Sequence, residues 1–390
     1  MSGKVQGFRF GAVSAGIRKD GRIDLALAVC DRPAVTAALF TRNLVKAAPV
    51  LIAAERARAG VSRAVLANAG CANAVTGEQG LAAVVATTAA IAKAAGLAPE
   101  DVLPASTGVI GAHLPVDKIN AQAATLAAKL SADGHEDFAQ AICTTDRWTK
   151  IAEAEADGTR VLAIGKGAGM IHPDVGGVPH ATMLVFIFLD AVVEQATLAK
   201  ALAEAADVTF NACSVDGDTS TNDTVIAQAS GASGVKPSDA ALGAALTKVC
   251  DELARSMVAD GEGANHVAEI KVKGLASRDD AKLAAKTIAT SLLVKTALFG
   301  QDANWGRLLA AAGRAGVSFD PRRAAIRVGD VAIVKDGAPI GAEAEKRANE
   351  FLKQPSYTIE LTLGDGPGEF RYLTSDLGHG YVDVNAGYRS

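Results

Sequence analysis

Aromatic residues are scarce in this 390-residue chain, 4% against 49% hydrophobic residues overall. Its core must therefore be filled chiefly by small and branched aliphatic side chains. Cysteine is sparse too: Cys30, Cys71, Cys143, Cys213 and Cys250 lie far apart and form no CxxC pair. That spacing excludes a zinc ribbon or thioredoxin motif, argues against a disulfide framework, and leaves buried free thiols as the expectation. There is no basic stripe. The net charge is −4 with Lys and Arg scattered, so no nucleic-acid partner is expected. The longest apolar run, Met183 to Leu189, stops at Asp190, far short of the roughly 20 residues that a membrane helix needs. The first ten residues lack the apolar core of a signal peptide, and a cytoplasmic protein without membrane partners is expected. No internal repeat and no Pro-rich or charge-rich linker is present.

What remains is ordinary globular composition, with 21% charged residues and length enough for two domains or one large layered domain. Periodicity predicts strands over Ser62–Asn68, Thr159–Ile164, Val208–Cys213, Ala268–Val272 and Tyr357–Leu363. It predicts helices over Gly80–Ala95, Gln195–Ala206 and Asp239–Val258, and another starting after Ser277, with Asp279 and Asp280 in its first turn. Thr182–Val193 is apolar and β-branched almost throughout, as a central strand buried on both faces would be. Antiparallel-type strands with intervening helices, and no clean βαβ series, point to an α/β (α+β) layered architecture rather than a Rossmann fold.

A Gly- and Pro-rich loop, Gly165 to His180, feeds the central strand at Ala181-Thr182. A threonine hydroxyl is a poor nucleophile without an adjacent base. Cutting the chain before Thr182 would give it one, because a free α-amine titrates near roughly 7.7–8.0 and is partly neutral at pH 7. Ala181 is small and leaves its carbonyl open to attack by that hydroxyl. On these grounds alone Thr182 could equally be a plain β-branched strand residue.

The surrounding segments decide between the two. Lys166-Gly-Ala-Gly-Met-Ile, Ala181-Thr-Met-Leu-Val-Phe-Ile-Phe-Leu-Asp-Ala and Val215-Asp-Gly-Asp-Thr-Ser-Thr-Asn-Asp-Thr224 closely resemble the ornithine acetyltransferase (glutamate N-acetyltransferase) family of arginine synthesis. So do Lys46–Val50, Ala67–Ala74, Ala105–Gly111, Asp260–Ala264, Asp302–Arg307 and Asn385–Ser390, in the family's order and over essentially the whole chain.

The resemblance implies a layered αββα-type sandwich with the nucleophile at the start of a central strand. It implies autocleavage between Ala181 and Thr182 into an α chain (1–181) and a β chain (182–390), assembled as α2β2. It makes Thr182 the nucleophile, Thr107 and Gly108 the oxyanion hole, and Thr144, Lys166, Glu262, Asn385 and Ser390 further substrate contacts. An α-carboxylate suits Lys166 and an amine suits Glu262. The implied reaction moves acetyl from N2-acetylornithine to glutamate through a Thr182 ester, with no metal or organic cofactor demanded. Acetyl-CoA as an alternative donor would form the same ester. The alternative activity is that of an amidase, an aminopeptidase or an acetyltransferase with another acceptor.

The chain departs from the family pattern in three places. Seven residues, Asp174 to His180, separate Pro173 from Ala181, a longer spacer than the family's. Arg147 follows Thr144-Thr-Asp146, and Asn265-His266 follows Gly263-Ala264, where the family has Thr and Thr-Lys. His172 and His180 flank Asp174, but a flexible loop is poor preorganisation for a metal. Gly165-x-Gly-x-Gly169 lacks the following helix N-terminus of a nucleotide site. Asp216–Asp223 carries Thr221 where a calcium loop needs glycine, so a turn or an active-site loop is expected. Asn304 is expected to cap the helix after it.

Overall fold

The computed structural model describes residues 4–176 and 183–387. The chain runs β1 (Phe8–Val13), β2 (Leu25–Thr41), α1 (Ala48–Ala57), β3 (Val61–Cys71), α2 (Gly77–Ala95), β4 (Val102–Val109), α3 (Val116–Ala121), α4 (Ala123–Ala128) and α5 (His135–Ile142). Next come β5 (Lys150–Ala156), β6 (Thr159–Lys166), β7 (Val175–Gly176), β8 (Leu184–Leu189), α6 (Gln195–Val208), β9 (Cys213–Ser214), β10 (Thr224–Ala229) and α7 (Asp239–Ala259). The last part comprises β11 (Val267–Gly274), α8 (Arg278–Ala289), α9 (Leu292–Phe299), α10 (Trp305–Gly313), β12 (Ala325–Val328), β13 (Val331–Lys335), β14 (Ala338–Pro339), α11 (Ala342–Phe351), β15 (Ser356–Thr362), β16 (Gly366–Ser375) and α12 (His379–Gly387). Two units emerge, one from residues 4–211 with 218–257, the other from 212–217 with 258–387.

In the first unit the strand order is β4-β3-β2-β10-β8-β6-β5, with β1 and β7 also paired to β2. The pairs β3·β4 and β8·β10 are parallel and the others antiparallel. Each parallel pair needs a crossover, and α2 and α6 lie in those connections. The sheet is therefore mixed, with two βαβ crossovers that the sequence reading did not anticipate.

The expected central strand is β8. It sits between β6 and β10, and all six of its residues are buried. It is shorter than its apolar run because the Asp190 carboxylate accepts the Arg160 N–H at 2.8 Å and ends the regular strand. A cluster of phenylalanines packs against it. Phe10 packs edge-to-face on Phe188 with centroids 4.9 Å apart, and Phe138 on Phe186 at 5.5 Å. A scarce residue type thus supplies the largest side chains at this centre.

In the second unit the order is β14-β13-β12-β15-β11-β16-β9, with β11·β15 and β16·β9 parallel. The small face of α8, Ala281, Ala284, Ala285 and Ile288, joins Ile270, Val272 and Tyr372 in one core. Ser277 caps α8 by accepting the Asp280 N–H at 3.1 Å, and Asn304 caps α10 by accepting the Arg307 N–H at 3.0 Å. One expected strand is wrong. Val208–Cys213 is the end of α6, a single helical turn at Phe210–Ala212, and only then β9. The Thr209 hydroxyl donates to the Ala205 carbonyl at 2.7 Å, a local bond that overrides the β-propensity of the run.

The five cysteines are free and buried. No helix among the described residues is long and apolar enough to cross a membrane.

Candidate active site

The C-terminal end of β4 carries Ser106, Thr107 and Gly108, paired in parallel register with Asn68, Ala69 and Gly70 of β3. Two asparagines hold this end in place. The Asn68 side-chain oxygen accepts from the Ser106 hydroxyl at 2.6 Å, and Asn68 Nδ2 donates to the Cys71 carbonyl at 2.9 Å. Asn222 Nδ2 donates to both the Ala72 carbonyl at 2.6 Å and the Ser106 carbonyl at 2.8 Å. Within the Asp216–Asp223 segment, Asn222 therefore buttresses the end of β4. Gly108 has φ +130°, and a Cβ there would fall 2.4 Å from the Gly70 carbonyl carbon. Only glycine permits that approach of the two strands.

Lys166 closes β6. The loop expected to start at Gly165 begins two residues later, because Gly165 and Lys166 pair with Val185 and Leu184 of β8. Lys166 Nζ donates to Thr107 Oγ1 at 3.1 Å, and both residues are almost fully buried, at 3% and 1% exposure. The hydroxyl hydrogen of Thr107 is left to point elsewhere. A donor already polarised by a cation is a stronger donor.

Beside this pair stands Asp146, whose side chain is fully buried with that of Lys150, the two at 2.7 Å. Asp146 also accepts the Gly167 N–H at 2.7 Å and the Thr144 N–H at 3.0 Å. One carboxylate thus ties the residue after Lys166 to Thr144. Burial alone would raise its pKa. The charges of Lys166 and Lys150, with the hydrogen bonds, outweigh burial and hold it at about 2. Thr144 is held from a second side, where Arg18 donates to the carbonyls of Cys143 at 2.5 Å and Thr144 at 3.4 Å.

Thr182, Ala181 and His180 lie outside the described residues. Met183, the residue before β8, is buried, and its carbonyl accepts the Thr224 N–H at 2.8 Å. The described part of the preceding loop is tied down by the Thr219 hydroxyl on the His172 carbonyl at 2.9 Å and by Arg42 on Asp174 at 3.3 Å. Among the described residues no group of three or more His, Cys, Asp or Glu side chains could hold a metal.

In the second unit, Asn385 of α12 donates from Nδ2 to Glu262 at 2.9 Å. Ser390 lies outside the described residues. Asp376 fixes the departure from the family pattern at Asn265-His266. It accepts the backbone N–H groups of Asn265 at 2.8 Å and His266 at 3.0 Å, and lies 3.2 Å from His266 Nδ1. Lys295 is buried against Thr374 Oγ1 at 3.0 Å and the Ser375 carbonyl. Desolvation lowers its pKa to about 8, against the pull of Asp376 and Asp216.

Of the expected residues of the first unit, Thr107 and Lys166 touch, and Thr144 joins them through Asp146. Asp146, Lys150 and Asn68 were not singled out as site residues from the sequence, whereas Asn222 lay in the segment expected to be a turn or an active-site loop. The i, i+4 spacing of Asp146 and Lys150 was a signal, though a weak one outside a helix.

Mixed sheets with a buried lysine donating to a threonine hydroxyl beside a strand-end glycine define a layered α/β protein with a polar centre built on strand termini. The chain belongs to the ArgJ family, whose profile matches residues 9–390. An arginine biosynthesis bifunctional protein ArgJ of Nitratidesulfovibrio vulgaris is 46% identical over 398 residues, covering 100% of both chains. That of Geobacter sulfurreducens is 45% identical over 396 residues, covering 99% of this chain and 100% of the relative. The solved arginine biosynthesis bifunctional protein of Bacillus halodurans aligns with TM-score 0.50 and 38% identity, over 52% of this chain and 98% of that one.

Proposed function

We propose that this protein is a self-cleaving N-acetyltransferase of arginine biosynthesis that moves acetyl from N2-acetylornithine to glutamate through an ester on Thr182. The observation that carries the reading is the buried contact of Lys166 with Thr107 in a chain whose relatives are named arginine biosynthesis bifunctional proteins.

In the proposed maturation, the Thr182 hydroxyl attacks the Ala181 carbonyl. The acyl group moves from nitrogen to oxygen, which frees the α-amine of Thr182, and water then hydrolyses the ester to restore the hydroxyl and leave Ala181 as a carboxylate. Supporting this, the Bacillus halodurans chain is matched over 98% of its length by only 52% of the present chain. Residues 182–390 make up a comparable share.

In turnover, the Thr182 hydroxyl attacks the acetyl carbonyl and its proton passes to the Thr182 α-amine. The Thr107 hydroxyl and Gly108 N–H stabilise the oxyanion. The intermediate collapses, the amide nitrogen of the donor takes the proton, and ornithine leaves. The α-amine of glutamate then attacks the ester, and N-acetylglutamate departs as the Thr182 hydroxyl is restored. Lys166 binds the substrate α-carboxylate, with Thr144 beside it, and Glu262, with Asn385, takes the side-chain amine. Ser390 is a further substrate contact. Acetyl-CoA as a second donor, the α2β2 assembly and a cytoplasmic location belong to the same proposal.

The test is release of ornithine from N2-acetylornithine with and without glutamate. Release that requires glutamate, with N-acetylglutamate formed in equal amount, is expected. Equal release in its absence would make the protein an amidase.

A further inference from the structure

Lys150 and Asp146 have no role in the reaction as proposed, yet they form an ion pair with both side chains at 0% exposure. A buried pair of this kind is costly to desolvate and is weak evidence of net stabilisation. Its position suggests another role. Asp146 faces two ammonium groups, Lys150 by direct contact and Lys166 through its field. It also binds the backbone N–H groups of Thr144 and Gly167, so it cannot swing away from either.

Of the two buried lysines only Lys150 is in contact with Asp146, so the charge of Lys166 is not taken up by that carboxylate. Lys166 Nζ is where that charge is available, because its hydrogen bond among the described residues runs to a neutral hydroxyl, Thr107 Oγ1. We infer that Lys150 and Asp146 are positioning residues that set the charge balance at Lys166, so that one surplus positive charge is kept for the α-carboxylate of an amino-acid substrate. Without Lys150, Asp146 would be neutralised by Lys166 itself, and an incoming carboxylate would meet no net charge. Without both, Lys166 would again stand unbalanced. The inference rests on the proposed role of Lys166 as carboxylate binder.

Calorimetric titration of the mature protein with ornithine, and with ornithinamide as the control lacking the carboxylate, tests it apart from the transfer chemistry. Lys150→Gln keeps a hydrogen-bond donor to Asp146 but removes the charge, and should raise the Kd for ornithine about tenfold or more. Lys150→Arg should bind within about threefold of wild type, and so should the double variant Lys150→Gln with Asp146→Asn. A purely structural pair predicts the opposite order, with the double variant at least as impaired as the single. The inference is overturned if Lys150→Gln binds ornithine like wild type, or if the double variant fails to recover. It is also overturned if wild type binds ornithinamide as tightly as ornithine. Absence of glutamate-dependent transfer in a protein that still passes this test would instead refute the proposed reaction.

Discussion

Lys166 Nζ and Thr107 Oγ1 meet 3.1 Å apart at the ends of two strands that are not neighbours in the sheet. Lys166 ends β6 and Thr107 lies near the end of β4, with β3, β2, β10 and β8 between them in the sheet order. Five strand spacings of about 4.8 Å exceed the reach of a lysine side chain, so the sheet curves to bring these two ends together. Donation by Lys166 to the hydroxyl oxygen orients the Thr107 proton away from Nζ.

Thr107→Val keeps the shape of that side chain and removes its donor. Transfer kcat should fall by about 10²–10³ with KM changed far less, as for loss of one oxyanion donor. Steady-state kinetics on N2-acetylornithine and glutamate check it. A larger effect on KM than on kcat would move Thr107 out of the oxyanion hole.

Thr182→Val removes hydroxyl and cleavage together. The purified protein should run as one uncut band near 39.6 kDa and show no transfer. Mass spectrometry of the wild type should find a fragment beginning at Thr182. Undiminished transfer in the variant would end the nucleophile proposal.

Gly108→Ala puts a Cβ 2.4 Å from the Gly70 carbonyl carbon at a φ of +130°. Backbone cannot yield as a flexible side chain can, so β3 and β4 must part. A loss of about 3 kcal/mol or more is expected in denaturant unfolding. Gly111 also has positive φ, but an added Cβ there meets nothing within 4 Å. Gly111→Ala should cost only about 1 kcal/mol.

Asp146 sits at about 2 against an ordinary 3.8. A depressed carboxylate contributes stability that is fully present above the unfolded value and disappears as pH falls through the folded one. Across pH 4 to 2 the wild type should lose about 2 kcal/mol that Asp146→Asn never had. The acid limb of a thermal-unfolding profile should therefore be shallower in the variant.

Lys295 behaves in the opposite sense to a salt-bridged lysine. Its folded pKa is about 8, below the usual 10.5, because burial outweighs Asp376 and Asp216. Below about pH 8 both folded and unfolded chains carry the proton, while between 8 and 10.5 only the unfolded chain does. Raising pH across that window should stabilise wild type relative to Lys295→Met. Parallel curves for the two proteins between pH 8 and 10.5 would refute the depressed value.

Local signals in the sequence were good guides where the physics is local. The Ser277 and Asn304 caps, the buried thiols and the fully buried β8 follow from residue type and short-range pattern. Val208–Cys213 misled because the Thr209 hydroxyl bonds back onto α6, a side-chain choice that propensity cannot register. The parallel pairs β3·β4 and β8·β10 were missed because register between strands depends on packing far along the chain.

The sequence by itself determined the family, through ordered motifs spread over the chain. Only the tertiary structure decided which of the polar residues work together. Thr107 and Lys166 are separated by 59 positions, and Asn222 reaches Ser106 across 116. Hydrogen bonds form at about 3 Å whatever the sequence distance. The folded sheet brings such residues together, and burial then makes each pairing obligatory, because an unmatched charge or amide in the interior would cost more than its partner's burial.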